Sequence, residues 1–193
     1  MFSRRINDEI DIRLSLPQYA EDIFALTEAN RDFLRMWLPW LDGTRSSDDT
    51  RGFIVDQLHR FAKGEAIHVT IFVDGVVAGV AGFNQIDKAN RIGYIGYWLG
   101  KEFNGRGVMT GVVSDLIAIA RNNLGLQKVD IRCATGNMKS RAIPERLGFQ
   151  HEGTLQRAEN LYGRWVNHEI YALLLTNSEQ DGGGQPATRP ESK

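Results

Sequence analysis

Midway along the chain the hydrophobic pattern changes period, and that change limits the fold more than any other feature. Residues 10 to 16, IDIRLSL, alternate apolar and polar and read as a half-buried strand. Tyr19, Ile23, Leu26, Phe33, Leu34 and Trp37 then recur at helical spacing until Pro39 breaks the pattern. Residues 46–64 read as a second helix, opened by the N-cap types Ser47, Asp48 and Asp49 and stopped by Gly64. From there the period is two. AIHVTIFVDGVVAGVAGFNQID, residues 66–87, is a pair of β runs around the turn dipeptide Asp74-Gly75, and RIGYIGYWLG, residues 91–100, adds a third strand. Three strands in succession with no helix between them do not belong to a doubly wound sheet.

The meander runs directly into YWLGKEFNGRGVMTG, residues 97–111, where a strand meets a helix through Gly105 and Gly107. The helix extends to Gly125, with Val108, Val112, Leu116, Ile117 and Ala120 on one face. A strand at KVDIRCA (128–134) follows, then a short helix in SRAIPERLGF stopped by Gly148. Two more strands, residues 151–162 and 164–175, flank Gly163. The order predicts an α+β fold, a mixed α/β arrangement built on one sheet of about seven strands with about four helices. Residues 1–177 form one domain on this reading. The polar tail 178–193, with three consecutive glycines, is expected to be disordered.

With 193 residues, 42% of them hydrophobic, the chain can build one core without a disulfide or a metal. Its single cysteine, Cys133, lies inside a strand run, which fits a buried thiol in a reducing compartment. The first residues contain no apolar run of signal-peptide length, and no segment approaches membrane-spanning length, so a cytoplasmic, membrane-free protein is expected. A net charge of −1 with scattered basic residues gives no nucleic-acid footprint. His59, His68, His151 and His168 have no ligand spacing and no cysteine partner, so no metal site is expected.

Unpaired N–H groups and the positive dipole end make a helix N-terminus an anion site, and glycines let a bulky anion approach. A dinucleotide fingerprint would need a third glycine where Thr110 stands, and would open the first βαβ unit. A P-loop would need Lys-Ser/Thr where Val108-Met109 stand. Neither fits. On the two glycines alone, a phosphate cradle and a purely structural turn remain equal readings.

The second motif is ATGNMKSRAIPERLGF, residues 134–149. Together, strand, Gly105-x-Gly107, helix, strand, Asn137-x-x-Ser140 and ERLGF resemble the GNAT acyltransferase superfamily. LRMWLPWLD (34–42), residues 94–113 and residues 137–155 look most like its Rim-type branch, the ribosomal-protein N-acetyltransferases. The resemblance covers residues 9–176 and departs from the commonest loop pattern at Asn104 and Met109. It implies acetyl-coenzyme A as co-substrate and a sheet splayed between the fourth and fifth predicted strands. Its pyrophosphate would rest on the loop Asn104, Gly105, Arg106, Gly107, Val108, Met109 and Thr110. The pantetheine arm would lie along Tyr97, Trp98 and Leu99.

The resemblance further implies that Asn137 bonds the cofactor arm, that Ser140 is the general acid, and that Glu102 is a water-relayed base. It places Trp37 and Trp40 in the acceptor cleft. The residues by themselves also allow Asn137 and Ser140 to be helix caps, Glu102 a solvated charge and Trp37 a packing aromatic. Transfer would be direct, since Cys133 has no base near it in sequence. An α-amine, with pKa near 8, is about a tenth neutral at pH 7, whereas a lysine amine is almost wholly protonated. The N-terminus of a ribosomal protein is therefore the acceptor expected first. Polyamines, antibiotics and aminoacyl nucleotides are the rival acceptors, and a non-catalytic coenzyme-binding module is the rival class. A homodimer paired at a sheet edge is compatible with this strand count.

Overall fold

A computed structural model describes residues 3–175, so the predicted tail lies outside the described residues. The strands are β1 (Ser3–Arg5), β2 (Ile10–Leu14), β3 (Ile67–Val73), β4 (Val76–Asp87), β5 (Ile92–Leu99), β6 (Lys128–Ala134), β7 (Gln150–Leu161) and β8 (Arg164–Leu174). The helices are α1 (Ala20–Ala29), α2 (Arg31–Arg35), α3 (Ser47–Ala62), α4 (Val108–Asn122) and α5 (Met138–Arg146). One eight-stranded sheet runs in the order β1-β2-β3-β4-β5-β6-β8-β7. Every adjacent pair is antiparallel except β5 and β6.

The sheet and helix counts each exceed the expectation by one. The extra strand, β1, is three residues of Ser and Arg with no apolar alternation to announce it. It pairs with β2 and is pinned by Arg4, whose guanidinium grips the Asp115 carboxylate on α4 at 2.5–3.0 Å. The extra helix arises because the first helical segment breaks at Asn30. This buried side chain donates from Nδ2 to the Leu26 carbonyl at 3.0 Å and accepts from the Lys101 N–H at 2.8 Å. A side chain bonding the preceding turn competes with helix propagation, and here it also ties the helices to the strand–helix junction.

The predicted hairpin forms at Asp74-Gly75, both at positive φ. The core lies between the sheet and α4, where Val112, Val113 and Leu116 have no solvent exposure. Burying one such leucine is worth about 2 kcal/mol. α1 and α3 cover the opposite face through Ile23, Leu26 and Ile54, packed on Phe72, Val77 and Val80.

The parting in the sheet is where the site begins. β5 and β6 pair in parallel only over Ile92–Ile95 and Lys128–Ile131. Beyond Ile131, Arg132–Ala134 keep their pairing with β8, while Gly96–Leu99 pair only with β4. This is the splay expected between the fourth and fifth predicted strands.

Candidate active site

Gly107 sets the start of α4. It is the N-cap, with φ of 76°, and Gly105 has φ of 79°. Both lie in the left-handed region that costs residues with a Cβ about 1–2 kcal/mol. A Cβ built on either would meet nothing within 4 Å, so the ground in front of the loop is open. The Gly111 N–H is the first across the junction with a backbone acceptor, the Gly107 carbonyl at 3.0 Å. The N–H groups of Gly105 to Thr110 have no such acceptor among the described residues, which leaves them without a backbone partner at the positive end of a 15-residue helix.

The side chains of this loop have separate duties. Val108 and Met109 turn into the core, so they offer only backbone at the junction. Asn104 donates to the carbonyls of Gly100 and Lys101, at 2.8 and 3.3 Å, and closes the short turn Lys101–Phe103 instead of capping α4. Arg106 points toward Glu9 and Asp74, at 3.5 and 3.8 Å. Arg146 of α5 donates to the Thr110 hydroxyl at 2.9 Å.

Beside the loop lies the open edge of β5. Because the Gly100 N–H bonds back to Ala78 of β4, the alternation of a strand turns the main-chain groups of Tyr97 and Leu99 toward the gap. Across that gap stands α5. Asn137 caps it, accepting from the Ser140 N–H at 3.2 Å. The Ser140 hydroxyl donates to the Tyr97 phenol oxygen at 3.3 Å, and the phenol donates to the Ser140 carbonyl at 3.1 Å. Burial raises the Tyr97 pKa, so the phenol stays neutral. Burial also pushes the nearby Cys133 thiol up to about 11, against a lowering contribution from the Ser140 hydroxyl. A thiol so buried is a poor nucleophile.

Two cavities flank β5. The narrower, about 100 Å³, is lined by Tyr97, Trp98, Leu99 and Asn104 on one side and Met109, Asn137 and Ser140 on the other. Trp37 closes its rim, near Gly136. The larger chamber, about 380 Å³, lies on the far side of Tyr97 and Trp98 and takes in Trp40. The two indoles of Trp40 and Trp98 stand 6.1 Å apart. The pair of tryptophans expected in one cleft is therefore divided between two. Glu102 is exposed on the Lys101–Phe103 turn and lines neither cavity.

The chamber also contains residues that sequence reasoning did not assign to a site: Gln57 and Arg60 of α3, His68 of β3 and Asn84 of β4. Asn84 is the extra residue of a bulge opposite β5, and its carboxamide fits only because position 96 is glycine: a Cβ there would lie 2.1 Å from Asn84 Nδ2. His68 packs edge-on to Phe53, and burial together with Arg60 pushes its pKa down to about 4. The segment bearing Trp37 and Trp40 is clamped from the β7–β8 turn. Tyr162 donates to the Leu38 carbonyl at 2.7 Å, Arg164 to the Met36 carbonyl at 3.1 Å, and Arg35 stacks 3.7 Å above the Tyr162 ring. Nothing local in the sequence marks these residues, since each acts across more than 100 positions or from the middle of an ordinary helix or strand.

The other histidines lie elsewhere. His151 and His168 pair with Glu169 and Glu159 on the β7–β8 hairpin, at 2.5 and 3.3 Å. No cluster of three His, Cys, Asp or Glu suited to a metal occurs among the described residues. No helix among them is long and apolar enough to cross a membrane.

The profile of the acetyltransferase (GNAT) domain family matches residues 12–150. A relative from Bacillus subtilis, the putative ribosomal N-acetyltransferase YdaF, is 36% identical over 94% of this chain and 99% of its own length. Among solved structures, the microcin C7 self-immunity acetyltransferase MccE, in complex with acetyl-CoA and AMP, is 33% identical with a TM-score of 0.84, covering 88% of this chain and 94% of that one. RimL, a ribosomal L7/L12 α-N-protein acetyltransferase in complex with coenzyme A, is 27% identical with a TM-score of 0.86, covering 89% and 97%.

Proposed function

This chain belongs to the GNAT acetyltransferase family, and we propose that it transfers acetyl from acetyl-coenzyme A directly to the α-amine of a ribosomal protein. The observation that carries the reading is the continuity of one surface. An open strand edge at Tyr97–Leu99 runs into the unpaired N–H groups of Gly105–Thr110, with the Ser140 hydroxyl across the gap. The fit to coenzyme A is chemical. A pyrophosphate needs several convergent N–H donors with no side chain in the way, and amides of a pantetheine arm need exposed main-chain partners. Both occur side by side here.

When bound, acetyl-coenzyme A supplies the activated acetyl group as a thioester. The N–H groups of Gly105 to Thr110 would hold its diphosphate, with Arg106 at the outer rim. Asn104 supports the turn that leads into this loop. Val108 and Met109 anchor the loop to the core. Tyr97 and Leu99 would fix the arm by strand-like pairing, with Trp98 between them held to β4, and a free N–H on that edge would stabilise charge developing on the thioester oxygen. Ser140 would give its proton to the departing sulfur. A thiolate is a weak base and leaves readily, so hydrogen-bonded assistance from a neutral hydroxyl suffices, and the proton shed by the acylated amine restores that hydroxyl. Tyr97, neutral and bonded to Ser140, orients that hydroxyl. Asn137 fixes the first turn of α5, and thereby Ser140, at the arm.

On the acceptor side, Trp40 and Trp98 wall the chamber and Trp37 closes the rim between the cavities. An α-amine is already about a tenth neutral at pH 7, so a distant base suffices. Glu102 would act through relaying water, because its carboxylate stands outside both cavities. A second acceptor class, an aminoacyl nucleotide, draws support from the likeness to MccE and from the two indoles in the chamber.

The test is a thermal-shift titration with coenzyme A, followed by thiol release from acetyl-coenzyme A with N-terminal peptides of ribosomal proteins and aminoacyl nucleotides. Expected are a concentration-dependent rise in melting temperature and an acetyl mass gain on a peptide α-amine. A melting shift with no acetylated amine in either panel would leave only a coenzyme-binding module.

A further inference from the structure

The 380 Å³ chamber is within the range of small-ligand sites, and its polar groups are unevenly chosen. No aspartate or glutamate among the described residues lines it. Among the described residues Arg60 is its one ionised side chain, since His68 is held neutral by burial beside that guanidinium. Of the five N–H donors of Arg60, the structure engages Nη2 alone, with the Asn84 carbonyl at 2.8 Å. Gln57 is only 7% exposed, and its carboxamide makes no hydrogen bond among the described residues, so it opens onto the chamber. No polar atom of the Gln57 side chain is both fully buried and unpartnered, so its carboxamide reaches the open space of the chamber and is free to bond water or a guest. The rest of the wall is aromatic and aliphatic, with Trp40, Trp98 and Phe53 most prominent.

We infer that this chamber selects acidic acceptors: peptides whose reacting α-amine is their sole positive charge and whose next residues bring a carboxylate to Arg60. The inference deepens the acetyl-transfer reading and rests on it. A polyamine or aminoglycoside would bring two or more ammonium groups into a space with one guanidinium and no counter-charge. In a partly desolvated site like charges repel strongly, and the aromatic walls do not replace a carboxylate. A carboxylate finds the reverse situation. Arg60 offers it a fork of free donors, and Gln57 can donate to a peptide carbonyl while accepting from a peptide N–H. The neutral imidazole of His68 can bond the peptide in either sense without adding charge. Arg60 and Gln57 are therefore specificity-determining residues for the acceptor, distinct from the groups proposed to hold the coenzyme.

The test uses the full chain, acetyl-coenzyme A and three acceptors in thiol-release assays with mass detection. These are a serine-initiated hexapeptide amide with aspartate at its second and third positions, its twin with lysine at both, and spermidine. The parent protein is expected to favour the aspartate peptide by at least about tenfold in kcat/KM, at low and moderate salt, and to leave spermidine unmodified. Arg60→Gln should bring the two peptides within about threefold of each other by weakening the aspartate peptide alone, with the coenzyme A melting shift retained. Gln57→Leu should raise KM for both peptides without changing their ratio. Equal or reversed preference in the parent, turnover of spermidine, or a preference that survives Arg60→Gln would each overturn the inference while leaving acetyl transfer intact. A protein that binds coenzyme A but acetylates none of the three, and none of the ribosomal or nucleotide acceptors, would overturn the transfer reading itself.

Discussion

Replacing Ser140 by alanine separates the proposed acid from the fold that presents it. Three contacts meet at this residue, and the substitution removes one. The Asn137 cap bonds the Ser140 N–H and the Tyr97 phenol bonds the Ser140 carbonyl, so both survive. Only the 3.3 Å bond from the hydroxyl to the phenol oxygen is lost. A neutral hydrogen bond is worth about 0.5–1.5 kcal/mol, and alanine returns about 0.5 kcal/mol of helix propensity inside α5. The net change in stability should stay within about 1 kcal/mol.

Activity should respond on another scale. Positioned acids contribute about 10²–10⁴ in rate, and the weakly basic thiolate places this one at the lower end, near 10², or about 2.7 kcal/mol. Steady-state thiol release should therefore show kcat reduced about a hundredfold, with KM for acetyl-coenzyme A changed by no more than about twofold. Tyr97→Phe serves as the companion, because it keeps the acid and loses only its orienting partner, so its kcat should fall less. A Ser140→Ala protein that melts normally and keeps kcat within about twofold of the parent would refute the acid assignment.

Gly107→Ala should cost about 1 kcal/mol in chemical denaturation, since its φ of 76° is strained for any side chain while the space beyond is open. The added methyl stands where an anion would approach, so KM for acetyl-coenzyme A should rise more than kcat falls in the same thiol-release assay. Tyr162→Phe removes the 2.7 Å bond to the Leu38 carbonyl and keeps the ring under Arg35. It should raise KM for the acceptor several-fold, with KM for acetyl-coenzyme A unmoved, because it loosens only the segment bearing Trp37 and Trp40. His68 contributes a pH dependence whose sign follows from its lowered pKa, about 4 in the folded chain against 6.5 when unfolded. Between those values the unfolded chain binds the extra proton, so stability is lost as pH falls from 6.5 toward 4. Urea unfolding at pH 7 and pH 5 should show a loss of about 2 kcal/mol from this group, absent in His68→Asn.

The sequence by itself determined whatever rests on local free energy. Period two and Asp74-Gly75 specified the β3–β4 hairpin. The spacing of Val108, Val112, Leu116 and Ala120 specified α4, and the glycines at 105 and 107 marked its N-terminus. Two such motifs in order also identified the family. These signals are legible because a turn, a cap or an amphipathic face involves residues within a few positions of one another.

Tertiary structure decided what depends on distant partners. Asn30 broke a helix that its own neighbours favoured, because the Lys101 N–H was there to bond it. A three-residue β1 was held by Asp115 from the far side of the chain. Trp37 and Trp40, three residues apart, went to different cavities because β5 stands between them. The larger chamber, the proposed acceptor site, drew Gln57, His68 and Asn84 from three elements that look ordinary in isolation. Their chemistry comes from what burial leaves unpaired, and burial is a property of the packed chain rather than of any segment of it.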